Sequence, residues 1–169
     1  MPVDAFPEAR WTRDDVSLLV KPYYGFAGTT LGSRFVHKVA PLDDWLLRKS
    51  GSRLTFFGSA SMRVLVLTTM GRKSGQRRDT ALTYMRDENR LFLLGSNFGQ
   101  EHHPAWSLNL LANPNAWVTV GGKVIPVTAT LLTGDSRERA LARFLVLPIY
   151  RRYRLRTDRE LRVFALTRR

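Results

Sequence analysis

The chain contains no cysteine, so a disulfide scaffold, a thiolate metal site and a cysteine nucleophile are excluded. Histidine is scarce as well, with only His37, His102 and His103. The adjacent pair lacks the i, i+4 spacing that puts two ligands on one helical face, so no metal site is expected. Acidic residues are few: 14 Asp plus Glu stand against 27 Lys plus Arg, for a formal net charge of +13. Long apolar runs are missing too. The longest, such as residues 144–150, fall far below the roughly 20 residues that a membrane-crossing helix needs. The opening MPVDAFPEAR has neither a basic leader nor an apolar signal core, which predicts a cytoplasmic protein.

A length of 169 residues suits one domain, and 44% apolar with 24% charged residues can support a folded core. Arginine supplies 22 of the 27 positive charges. Its planar fork matches phosphate and carboxylate, so an anionic ligand is the first expectation, with a general bias toward arginine as the alternative. A pI near 11 also suits nucleic acid. The aromatic residues form no stacking stripe on adjacent strands, and nucleic acid is therefore not the expected partner.

Residues 33–49 have a helical pattern, with Phe35, Val36, Val39, Leu42, Leu46 and Leu47 at three- and four-residue steps and Pro41 bending them. From residue 53 the period changes. LTFFGS, MRVLVLTT, TALTYMR and RLFLLGS read as strands joined by the turns GSAS, GRKSGQ and DEN. No helix-length crossover separates them, which predicts an antiparallel meander. HHPAWSLNLLANPNA reads as a short helix opened by Pro104 and ended by Pro114. AWVTV and KVIPVTATLL form a hairpin across Gly121-Gly122. Asp135 or Ser136 is expected to cap a helix over 137–147, with Pro148 closing it. A basic stretch over 151–162 leads into a last strand near 162–166. The reading is α+β: six or seven strands in an antiparallel split barrel with flanking helices. Residues 1–52 form a helical extension packed on the barrel, and 53–169 form the binding domain.

The sharpest local feature is Gly71-Arg72-Lys73-Ser74-Gly75-Gln76-Arg77-Arg78. Four cations and a hydroxyl sit in a turn that holds two glycines. Glycine permits positive φ and close backbone approach, so N–H groups can face an oxyanion while the side chains add charge-assisted hydrogen bonds. The spacing of a Walker loop is absent, and strands flank the turn. An anion site and an exposed basic hairpin both fit these residues.

Three blocks in order, LTTMGRKSGQRRDTALTYMRDENRLFLLGSNFG, HPAWSLNLLANPNAWVTVGG and PIYRRYRLRTDRELRV, resemble the deazaflavin-dependent nitroreductase family of actinobacteria. The likeness covers residues 65–166, and PLDDWLLRKSG with RLTFFG adds to it. The resemblance implies a split β-barrel of the flavin-reductase type and the 8-hydroxy-5-deazaflavin coenzyme F420, whose phosphate and acidic tail would suit the basic hairpin. It implies cofactor contacts from Thr69, Arg72, Lys73, Ser74, Gly75 and Arg78, with Ala81 and Thr83 near the ring. Ser96 and Asn97 lie in the family's loop after a strand, and Trp106 and Asn109 in its Pro-x-Trp-x-x-Asn-Leu element. Ser96, Tyr150 and Tyr153 are the implied catalytic side chains, serving to position groups or supply a proton. The chain departs from the family pattern where Arg77 and Ala81 replace prolines, where Thr83 and Leu147 stand in place of tyrosines that some members carry, and where Ser107 and Leu108 replace a frequent tyrosine and another residue.

The implied activity is hydride transfer from reduced F420 to an electron-poor acceptor: a small hydrophobic or quinone-like molecule, an enone or a nitroaromatic. The alternatives are FMN or haem on the same barrel, or a non-enzymatic basic module that binds an anionic membrane or nucleic acid. The basic stretch beside FLVLPIY would suit peripheral contact with the inner face of a membrane in either case.

Overall fold

A computed structural model describes Phe6, Leu42, Trp45, Lys49 and residues 64–87 and 89–169. Six strands close into a barrel: β1 (Val64–Met70), β2 (Arg77–Asp87), β3 (Arg90–Leu94), β4 (Asn115–Val120), β5 (Lys123–Leu131) and β6 (Val163–Arg168). Their order is β1-β2-β3-β6-β5-β4, with β4 returning to β1, and every pairing is antiparallel. Helices α1 (Ala105–Ala112), α2 (Gly134–Leu145) and α3 (Pro148–Arg154) accompany them.

The strands form where the sequence alternates. Leu65 and Leu67 of β1, Ala116, Val118 and Val120 of β4, and Ile125, Val127 and Ala129 of β5 all turn inward and fill the barrel. β3 and β6 are apolar at successive positions for a different reason. Leu91, Leu93, Phe164 and Leu166 join the interior, while Phe92, Leu94, Val163 and Ala165 pack outside it under α2 and α3. Both faces of these two strands are therefore covered. α1 inserts Trp106 and Leu110, four residues apart on one face, into the interior core. α2 covers the outer cluster with Ala140, Leu141 and Phe144. Each large apolar side chain buried this way stabilises the fold by roughly 1.5–3 kcal/mol. Gly121 and Gly122, at φ 56° and 79°, make the two-residue turn between β4 and β5.

Two expectations change. Pro148 does not close a helix; it is the first residue of α3, a position where its fixed φ is already helical and its missing N–H costs nothing. α2 begins earlier than expected, with Thr133 at the cap position. Asp135 instead sits in the first turn, where its charge meets the positive end of the helix dipole. The LTFFGS strand, and most of the 33–49 helix and of the 1–52 extension, lie outside the described residues. Leu42, Trp45 and Lys49 are helical, with the Lys49 ammonium 4.9 Å from the centre of the Trp45 ring.

Candidate active site

β1 and β3 both run antiparallel to β2, so the loops that follow them open at the same end of the barrel. The first is the basic hairpin. Gly71 N–H donates to Gln76 O at 2.8 Å, and Gly75 N–H donates to Gly71 O at 2.7 Å. Gly75 is left-handed at φ 65°. A Cβ on Gly71 would come within 2.7 Å of Ser74 Oγ and 3.2 Å of Gln76 O, so any other residue there would displace the Ser74 side chain. Arg72, Lys73, Ser74, Gly75 and Arg78 are all exposed. Among the described residues, no carboxylate pairs with Arg72 or Lys73. Arg77 lies over the Trp117 ring at 4.7 Å, and Arg78 donates to the Gln76 side chain at 3.4 Å.

Asn109 holds this hairpin from beneath. Its Oδ1 accepts from the Arg72 N–H at 3.1 Å, and its Nδ2 donates to Thr69 Oγ1 at 3.0 Å. Thr69 is 1% exposed and Asn109 6%. These two form the hairpin's buried footing, while the cations above them face solvent.

The path from the hairpin follows β2. Leu82 and Tyr84 pack on the interior core, so by alternation Ala81, Thr83 and Met85 face outward. From Arg78 to Thr83 the strand advances about 17 Å, at ~3.4 Å per residue. There Thr83 Oγ1 shares a hydrogen bond with Tyr150 OH from α3. Tyr150 packs edge-on against Phe144 at 5.6 Å and against Tyr153 at 6.1 Å. Tyr153 in turn meets Phe98 at 5.8 Å. Both tyrosines are buried.

Phe98 belongs to the loop after β3. Ser96 O accepts from Gly99 N–H at 3.0 Å, closing a tight turn over Asn97–Gly99. Asn97, Phe98 and Gly99 are successively left-handed, at φ 46°, 55° and 75°. Asparagine tolerates that region; phenylalanine does so only when its surroundings enforce it. Asn97 Nδ2 donates to His102 O at 3.0 Å and to Gln100 Oε1 at 3.3 Å. Glycine is required at 99, because a Cβ there would lie 2.8 Å from Tyr153 O.

Arg159, which no sequence motif singles out, grips the same loop. It donates to Gln100 O at 2.8 Å, Gly95 O at 3.0 Å and Ser96 O at 2.6 Å, and contacts His103 Nδ1 at 3.2 Å. Its partners are up to 64 residues away, so no local pattern in TDRELRV announces it. Burial, followed by the charges of Arg162 and Arg159, holds the His103 pKa below its ordinary value, while Glu160 opposes the shift. Arginine only donates, so in this contact His103 Nδ1 accepts and the ring proton sits on Nε2.

The sequence-predicted residues therefore fall into two groups joined by one strand. Thr69, Arg72, Lys73, Ser74, Gly75, Arg78 and Asn109 form the basic end. Thr83, Tyr150 and Tyr153 form the aromatic end, with Ser96 and Asn97 in the loop that carries Phe98. Ala81 lies between the two groups on β2. Trp106 stands apart, buried in the barrel with its ring 5.6 Å from that of Phe164. Among the described residues, no three His, Asp or Glu side chains are grouped to hold a metal ion.

The F420H(2)-dependent quinone reductase family profile matches residues 43–168. An F420H(2)-dependent quinone reductase of Mycobacterium tuberculosis is 33% identical over 132 residues, covering 76% of this chain and 89% of that protein. The solved structure of an F420-H2 dependent reductase, FDR-A, superposes with TM-score 0.57 at 34% identity, covering 62% of this chain and 93% of that one. A second structure, described as a domain-swapped dimer, gives TM-score 0.58 at 31% identity, covering 73% and 97%.

Proposed function

The chain belongs to the F420H(2)-dependent quinone reductase family, and we propose that it uses reduced F420 to reduce a quinone to its quinol. The family is defined by F420H2, so the FMN alternative has no support. The basic hairpin fits an anionic cofactor. Its cations have no carboxylate partners among the described residues, and its two glycine N–H groups close the turn that presents them.

In this reading Arg72, Lys73 and Arg78 bind the phosphate end, with Ser74 and the Gly75 backbone completing the turn. Thr69 and Asn109 keep the turn in shape from below. Ala81 and Thr83 provide the floor that leads to the aromatic end. Ser96 and Asn97 border it through the loop, and Trp106 supports it from within the barrel.

Forming a quinol requires a hydride and a proton on the acceptor. Bound, reduced F420 supplies the hydride. The proton is assigned to Tyr150, whose hydroxyl is oriented by Thr83 Oγ1. Tyr153 packs against Tyr150 and Phe98 and keeps water from that end. The same chemistry extends to enones and nitroaromatics. With Leu147 where some members have a phenol, quinones are the preferred acceptors.

The observation that carries this reading is the Thr83–Tyr150 hydrogen bond, set on the outer face of the strand that begins at the basic hairpin. The test follows oxidation of F420H2 by 2-methyl-1,4-naphthoquinone. Wild type turns over, and Tyr150→Phe lowers kcat by about 100-fold, the usual scale for a lost general acid. Full activity in Tyr150→Phe would remove the tyrosine from the chemistry, and absence of wild-type turnover would remove the quinone.

A second contact is proposed for the outer side of α3. Leu155 (86% exposed), just after α3, follows exposed Arg151, Arg152 and Arg154, and exposed Val146 (68%) precedes the helix; we propose that these residues suit an anionic membrane.

A further inference from the structure

The loop after β3 has two costs to meet: a left-handed phenylalanine and a sharp carbonyl-rich turn. Arg159 meets both. Three carbonyls of this one loop, from Gly95, Ser96 and Gln100, receive N–H donors from a single guanidinium. Charge-assisted bonds of this kind are shorter and stronger than neutral ones. Arg159 makes no ion pair among the described residues, and neighbouring Glu160 is engaged by Arg137 at 3.2 Å. Arg159 thus directs its fork at backbone rather than at an acid.

We propose that Arg159 is a positioning residue of the reductase: by gripping Gly95, Ser96, Gln100 and His103 it fixes the Asn97–Gly99 turn, and so sets where Ser96 stands and where the Phe98 ring meets Tyr153. This rests on the reading of Ser96 and Tyr150 as active-site groups.

The grip has a built-in dependence on pH. His103 accepts from Arg159 only while Nδ1 is unprotonated. The charged groups acting on it are Arg159, Arg162 and Glu160, and Glu101 acts on Arg159. A proton on Nδ1 would set a second cation against the guanidinium. Because folding lowers the His103 pKa, its contribution is complete above the unfolded value of about 6.5 and is lost as pH falls through the folded value. The loop should hold its shape down through about pH 6.5 and loosen only as pH falls through the lowered folded value of His103.

The test measures Arg159→Lys and Arg159→Gln for unfolding temperature, F420 affinity by fluorescence, and kcat and KM with 2-methyl-1,4-naphthoquinone from pH 5 to 8. Lysine keeps the charge but loses the fork. Both variants should lose kcat by about tenfold or more, the scale of a small displacement of reacting groups, with a smaller change in quinone KM. Either variant folding with wild-type kcat overturns the proposal.

If the Arg159 variants fail to fold, His103→Gln decides. It keeps an acceptor that does not titrate, so the acid fall in wild-type kcat/KM should flatten, which a merely structural role would not produce. An acid limb unchanged in His103→Gln, or absent from wild type, overturns the proposal. Ser96→Ala and Tyr150→Phe run in parallel. If both are silent, the active-site reading fails and takes the proposal with it. If they are impaired while Arg159→Lys is not, only the proposal fails.

Discussion

Asn109 is a small buried amide that does two jobs with its two ends. Its oxygen fixes the Arg72 amide of the basic hairpin and its nitrogen holds Thr69. Asn109→Ala leaves the Thr69 hydroxyl and the Arg72 N–H unpaired. Urea unfolding should show a loss of about 1–3 kcal/mol, the cost of buried polar groups without partners. An unchanged midpoint would show that water replaces the amide freely. Residues whose work is local are legible in the sequence, because the two glycines and the cations of the hairpin lie within eight consecutive positions. Arg159 is not legible, since its acceptors come from a loop about 60 residues earlier. The Thr83–Tyr150 bond is equally hidden. Each residue stands out singly, but their pairing across 67 residues exists only once the barrel has closed.

At the scale of elements, the period-2 pattern announces the strands reliably, because one face of each meets the barrel interior. It says less about β3 and β6. Their continuous apolar runs require helices on the outside, and only the structure shows those to be α2 and α3. In the sequence Pro148 looks like a stop, because proline ends helices as readily as it starts them. The residues after it make the distinction: Ile149, Tyr150 and Tyr153 share a buried face, so the segment is an element of its own. The opposite face of α3, with the exposed Leu155 just beyond it, bears the proposed membrane contact. Co-sedimentation with phosphatidylglycerol vesicles at low salt should retain the wild-type protein and release Leu155→Glu, while phosphatidylcholine vesicles retain neither. Equal retention of the variant would assign any binding to charge alone.

Across the whole molecule, the barrel is foreshadowed by the short turns that join β1 to β2, β2 to β3 and β4 to β5, while helices occupy the longer connections from β3 to β4 and from β5 to β6. The site depends on closure: β3 pairs with β6 and β1 with β4, and these long-range pairings bring α3 to the outer face of β2. The net charge of +13 is a property of the whole chain, but the uncompensated part that matters is the hairpin at one barrel end. A ligand held there by charge should bind more weakly as salt shortens the reach of those charges to about 10 Å at 0.1 M. F420 fluorescence titration of wild type and of the Arg72→Ala/Lys73→Ala double variant, across a salt series, addresses this directly. Wild type should bind F420 with an affinity that falls as salt rises, and the double variant should bind about tenfold more weakly or worse, with a shallower salt dependence. A double variant that binds F420 as wild type does, with the same salt dependence, would contradict the assignment of the hairpin as the cofactor's anionic anchor.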